Sequence, residues 1–302
     1  MRAEVIGLGM CTADKLVRVT HLPEANETVL MYDYAEDFGG PVATALFALA
    51  RLGVRAAFVG AIGDDEFGDG IKADLERVNV DVSPIQVLQG RRSAFSVVLI
   101  DSESGDRSIV FNPGCCFEVA ADKLPRDLIA QAGFLHLDGS SIEAATEAAA
   151  IARKAGVRVS LDAGGAMPGI DDLIKLCDVV VTSQIFAKEF AGTDEEERAL
   201  RSLAAMGPSI VGITLGSEGS VCLVDDEIIK QPAFQVDVVD TTGAGDSYHG
   251  GFIYGLLQGW DLAKVMTFAS AVAAMDCTRV GGRAGLPTQA ETEAFLESAA
   301  KR

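Results

Sequence analysis

The sequence predicts an α/β fold, a central and mostly parallel sheet with helices on both faces, and three observations carry that expectation. From about residue 133, short apolar runs alternate with longer amphipathic ones. Strands are expected at 133–137, 157–161, 178–182 and 209–214, and helices at 142–154, 170–176, 184–190 and 195–205. Such alternation means parallel strands joined by crossover helices. The composition, 49% hydrophobic but 6% aromatic with 32 glycines in 302 residues, fits a sheet-and-helix core with many close turns. Last, the stretch from Val238 to Gly251 reads as a short apolar strand ending at Val239, a polar glycine-rich turn, and a helix carrying Phe252, Ile253, Leu256 and Leu257. No linker, repeat or low-complexity tract interrupts the chain, so residues 1–302 are expected to form one domain. Ligands of such sheets bind beyond the carboxyl ends of the strands.

Charge narrows the function. The net charge of −19 argues against nucleic-acid or anionic-membrane partners. An anionic ligand must then be held by local amides and a metal ion. The six cysteines show neither metal-ligand spacing nor a regular framework, so buried thiols in a reducing cytoplasm are expected. The N-terminus is too short and charged to read as a signal peptide, and no apolar run is long enough to span a bilayer.

In chain order, Glu4 to Leu8 reads as a buried strand. The glycines at 7 and 9 suggest a dinucleotide fingerprint, but Thr12 stands where the third glycine belongs and no helix follows. Leu16 to Val19 reads as more strand, with Asp14 as a turn acid or a hydroxyl reader, and 28–36 is another strand-like run. Gly39 and Gly40 open a helix with Leu46, Leu49 and Leu52, and the pair would let backbone amides touch a ligand. A strand at 56–59 leads to Gly63-Asp64-Asp65, read as a capped helix start. Residues 94–100 and 107–111 flank a polar turn at 101–106, a hairpin signal.

Further on, His136 lies inside a strand and reads as a packed core histidine. Asp138 and Asp162 each end a strand, the first facing the cleft, the second either a loop cap or a group reaching the phosphate side. Thr214, Gly216 and Gly219 form a turn between two strands, and a last apolar helix runs from Asp261 to Met275. The amides of Gly243, Ala244 and Gly245 would sit free at a helix N-terminus, where the macrodipole also favours an anion. Asp246 beside that cradle makes sense as a base that takes a proton from a substrate hydroxyl.

The run Asp240-Thr-Thr-Gly-Ala-Gly-Asp246 resembles the C-terminal signature of the PfkB, ribokinase-like carbohydrate kinases. Gly39-Gly40 with Thr44, the Gly63 turn and Thr214-Leu-Gly216-Ser-Glu-Gly219 resemble further family motifs in the same order along nearly the whole chain. The resemblance implies a ribokinase-like fold with a small β lid built from about 14–37 and 91–112. It implies ATP and Mg²⁺ as cofactors and a homodimer through the lid. Asp246 would be the base and the 243–245 amides the anion hole. Asp14, Gly39, Gly40, Thr44 and Asn112 would meet the sugar, and Thr214, Gly216, Gly219 and Thr242 the nucleotide. A monovalent cation, K⁺, would sit at Asp240, Thr242, Asp276, Arg279, Gly281 and Gly285. The family's Asn-x-x-Glu motif is replaced by Ser183-Gln184-Ile185-Phe186, so no Mg²⁺ side-chain ligand is assigned.

The C-terminal third is most similar to the sulfofructose kinase branch. That branch's Lys, Asn and Arg anchors fall on Thr28, Asn112 and Ser140, so both positive charges are gone. A neutral ketose or pentose is therefore the expected substrate, with sulfo- or phosphosugars as the alternative. A nucleoside kinase is a rival, since Tyr32, Tyr34, Phe95 and Phe111 could wall a base. A sugar-binding regulator without catalysis is opposed by Asp246. A P-loop kinase is excluded because the turn lacks the Gly-Lys-Ser/Thr ending.

Overall fold

The computed structural model describes residues 3–102, 107–165 and 167–300. The elements run β1 (Val5–Leu8), β2 (Thr12–Val19), β3 (Met31–Gly39), α1 (Pro41–Arg51), β4 (Ala56–Val59), β5 (Ala61–Gly63), α2 (Glu66–Glu76), β6 (Gln86–Leu88), β7 (Phe95–Asp101) and β8 (Arg107–Asn112). Then come α3 (Arg126–Gln131), β9 (Phe134–Leu137), α4 (Ile142–Lys154), β10 (Arg158–Ala163), α5 (Ile170–Ile174), β11 (Val179–Ser183), α6 (Gln184–Ala191), α7 (Glu196–Ala204) and β12 (Ile210–Thr214). The chain closes with β13 (Ser220–Val224), β14 (Glu227–Gln231), α8 (Ala244–Leu257), α9 (Leu262–Asp276) and α10 (Gln289–Ala299).

Eight strands form the main sheet in the order β14-β13-β12-β11-β10-β9-β1-β4. From β12 to β4 every pairing is parallel, while β13 and β14 add an antiparallel edge. The parallel strands are buried on both faces, as their apolar runs require. One face packs on α4 and its neighbours through Leu135, Leu161 and Ala148. The other packs on α1, α8 and α9 through Phe58, Leu46 and Phe252.

A second sheet, β3-β2-β7-β8, lies apart from the first. Leu16, Val98 and Ile100 make a small cluster on its inner side. Met31, Tyr32, Tyr34, Ile109, Val110 and Phe111 are exposed on the strands β3 and β8. The hairpin joins Ile100 to Arg107, and the expected turn residues 103–106 lie outside the described residues.

Three expectations need correction. Val239 ends no strand. Val238 is exposed and the Val239 amide bonds the Cys277 carbonyl at 2.8 Å, so the segment is tied to the end of α9 and not to a strand. The strand expected at Leu16 begins at Thr12, which places Asp14 in mid-strand. The run expected at 28–36 becomes strand only from Met31. The Gly63 turn, in contrast, is the capped helix start that was read: Asp65 accepts the Gly68 N–H at 3.0 Å. All six cysteines are buried free thiols. Among the described residues no helix is long and apolar enough to cross a membrane.

Past its first turn helix α8 is buried, because it is enclosed by α1 and α9. Its glycines set the approach. A Cβ at Gly250 would lie 2.9 Å from the Ala45 carbonyl oxygen, and one at Gly251 would lie 2.8 Å from Ala269 Cα. The N-terminus of this helix is thereby held at the carboxyl edge of the sheet.

Candidate active site

Two cavities meet at the N-terminus of α8. The larger, about 440 Å³, lies between the lid and the sheet edge and is lined by Thr12, Asp14, Gly39, Thr44, Arg107 and Asp246 among others. The smaller, about 280 Å³, is lined by Thr214, Gly216, Gly219, Val236 and Ala274 among others. Thr241, Ala244 and Gly245 line both, so the turn is the wall that the cavities share.

The turn is built for that position. Gly243 caps α8 with φ of 75°, and a Cβ there would lie 2.7 Å from the Gly282 carbonyl. Only glycine meets both conditions without strain. The expected set of three free amides is one smaller. The Ala244 N–H closes a turn on the Thr241 carbonyl at 3.3 Å, while those of Gly243 and Gly245 have no partner among the described residues.

Asp246 follows, half-buried at the floor of the larger cavity. Burial pushes its carboxyl up to about 7, helped by the charge of Asp162, with His249 and Arg283 pulling the other way. Such a group is about half ionised at neutral pH and basic enough to accept a proton.

On the lid side Asp14 is buried in β2, and its carboxylate accepts the Ser96 hydroxyl at 2.6 Å. Burial raises this carboxyl too. Gly39 faces it: a Cβ there would lie 2.3 Å from the Asp14 carboxylate. Thr44 is buried, and its hydroxyl accepts from Arg283 Nε at 3.1 Å. Arg283 also donates to the Gly39 carbonyl at 2.9 Å and pairs with Asp74. This buried arginine was not singled out by sequence, although it stands inside the matched 276–285 loop. Arg107, from β8, donates to the Thr241 hydroxyl and so spans from lid to turn.

Asn112 is placed elsewhere. Its carboxamide oxygen accepts the Gly114 N–H at 3.0 Å, and it does not line the larger cavity. A hairpin end followed by Pro113 and Gly114 turns back on itself, and the Asn closes that turn. Asp138 does not face the cleft freely either: it accepts the amides of Met10 at 2.7 Å and Ser140 at 2.9 Å. Asp162 is an ion-pair partner of His249 and not a loop cap. His136 is the packed histidine that was expected, with Nδ1 3.0 Å from the Ser160 hydroxyl and burial pushing its pKa down to about 3.

Behind the turn, Asp240 is buried and accepts the Thr242 and Gly281 amides, each at 2.9 Å. Asp276 accepts the Ser247 hydroxyl through one oxygen. Among the described residues its other oxygen and the Thr242 hydroxyl are buried without a hydrogen-bond partner. Unpaired buried oxygens fit a cation. Burial pushes the Asp276 carboxyl up to about 8. Arg279 is exposed, and Gly285 packs on the Asp276 backbone.

The family profile described as pfkB family carbohydrate kinase matches residues 3–289. The chain belongs to the pfkB family. A ribokinase of Haemophilus influenzae is 29% identical over 99% of this chain and all of its own. An ATP-dependent ribose-1-phosphate kinase of Halopiger xanaduensis is 30% identical over 97% of both chains. In structure, a putative ribokinase from Agrobacterium tumefaciens superposes with a TM-score of 0.92 at 31% identity, covering both chains completely. The fold is thus ribokinase-like, and the activity class of this pfkB member is that of a sugar or nucleoside kinase.

Proposed function

We propose that this pfkB kinase transfers the γ-phosphoryl group of ATP to a primary hydroxyl of a small neutral sugar, a ketose or pentose. The observation that carries the reading is Asp246 on the floor of one cavity, next to unpaired amides on the wall shared with a second. ATP would occupy the smaller cavity, with its phosphates toward Gly216 and the turn. The sugar would occupy the larger one, its hydroxyls read by Asp14, Thr12 and the backbone at Gly39 and Gly40. Asp246 takes the proton of the attacking hydroxyl, and the Gly243 and Gly245 amides with the α8 N-terminus receive the charge on the transferred group.

Mg²⁺ would arrive on the ATP phosphates, as kinase chemistry of this class requires. When bound it supplies charge neutralisation there.

A second reading rests on Arg107, whose guanidinium lines the sugar cavity. It favours a phosphosugar, because a guanidinium meets a phosphate with paired donors. Steady-state kinetics on ribose, fructose, tagatose, ribose 1-phosphate, fructose 6-phosphate and sulfofructose decides between them. A kcat/KM highest for ribose, fructose or tagatose is expected. A clear preference for an anionic sugar would overturn the neutral reading, a preference for adenosine or another nucleoside added to the same panel would replace both, and no ATP turnover on any would sink the kinase assignment.

Two companion expectations concern the surroundings of the site. The buried oxygens of Thr242 and Asp276 support a K⁺ site behind the turn. Exchanging Na⁺ for K⁺ should raise activity by ordering the anion hole from behind, and equal rates in K⁺, Na⁺ and Tris buffers would remove the site. The exposed apolar residues of β3 and β8 support a homodimer through the lid. Light scattering at micromolar protein should return twice the chain mass; the single mass alone would contradict it.

A further inference from the structure

Under the cleft floor lie side chains that the reading above leaves without a task. His249 stands on α8 three residues after Asp246, so the two share one helix face. Its Nε2 is 3.3 Å from Oδ1 of Asp162, at the end of β10, with the side chains 6% and 13% exposed. The ring of His136, on β9, lies against that of His249 with centroids 5.4 Å apart. A carboxylate this deep costs several kcal/mol unless it is paired. Unpaired, its charge would also repel an ionised Asp246.

We propose that His249 is a positioning residue for Asp246: held as an imidazolium by Asp162, it offsets the Asp162 charge and keeps Asp246 ionised next to it. The directions of titration agree. Burial opposes a charged His249, yet the charge and hydrogen bond of Asp162 outweigh it and raise the ring above the ordinary histidine value. Burial likewise opposes a charged Asp162, and His249 brings it below the usual carboxylate value. His136 stays neutral, so the pair holds one positive and one negative charge. The other charged groups that face Asp246 are Arg283, Asp138 and Asp276. Of these only Arg283 is positive, and it is shared with Asp74.

The inference rests on Asp246 being the base, and its test needs no substrate. The chain has only three histidines, so imidazole nitrogen NMR of the intact protein separates them. At pH 7.5 His249 should be doubly protonated and His136 neutral. Carboxyl carbon NMR, with Asp246 assigned through Asp246→Asn, should show Asp246 titrating near 7 in the wild type. In His249→Gln that midpoint should rise by about one unit or more, roughly a fivefold or greater loss of ionised base at neutral pH. A neutral His249 at pH 7.5 would overturn the proposal even if the variant does not fold. So would an Asp246 midpoint unmoved in a folded variant, since a purely structural histidine predicts that result. Turnover by Asp246→Asn bears on the base assignment alone.

Discussion

Asp246→Asn should lower kcat by roughly 10² to 10⁴ with ATP affinity nearly unchanged. The amide keeps the size and the hydrogen-bonding reach of the side chain but cannot take a proton. The smaller cavity, proposed for the nucleotide, touches the turn at Thr241, Ala244 and Gly245, not at residue 246. The sign of the pH dependence follows from the carboxyl at about 7. Below that value the proton is on Asp246 and the base is lost, so the wild-type kcat/KM should fall toward tenfold per unit as pH drops. The Asn variant should lack this acid limb. A purified variant with wild-type turnover on the true sugar would refute the role.

Arg283→Met should cost about 3 kcal/mol of stability, read as a lower urea midpoint at unchanged slope. Arg283 and Asp74 are 3% and 6% exposed, and removing the guanidinium leaves a buried carboxylate behind. Asp74 retains Arg77 at 2.7 Å, which sets the expectation at the low end for broken buried pairs. Adding Asp74→Leu to the same chain should recover part of the loss. The arginine also holds the Gly39 carbonyl and the Thr44 hydroxyl, so KM for the sugar should rise in the single variant. A midpoint within error of the wild type would show the pair to be unimportant.

Local signals in the sequence were legible wherever one element carries its own pattern. Helix α4 was expected at 142–154 and occupies those residues, because its alanine-rich face repeats at the helical period over thirteen residues. The Asp65 cap and the turn at 243–246 were read from residue type alone. What failed depends on partners far along the chain. Val238 and Val239 look like strand, but the Val239 amide is taken by the Cys277 carbonyl past the end of α9, and neither residue joins the free edge of β14. Arg283 pairs across 209 positions with Asp74, and nothing near either residue announces the other. The Asp162 and His249 pair joins a strand end to a helix face in the same way. Helix α10 was overlooked although Thr288 and Glu291 form a capping box, a signal that the residue order does carry.

The glycine contacts of α8 with α1 and α9 bear on when the proposed anion hole becomes ordered. Gly250 and Gly251 lie five and six residues past the last glycine of the turn, and their close approach leaves the helix no room to slide or rotate. The helix end that carries the turn is thus fixed once, as the chain folds, which leaves only the turn itself to be ordered by a cation or by ATP. On the proposed mechanism the helix dipole is already aimed when turnover begins, so little reorganisation of the helix is left to slow phosphoryl transfer.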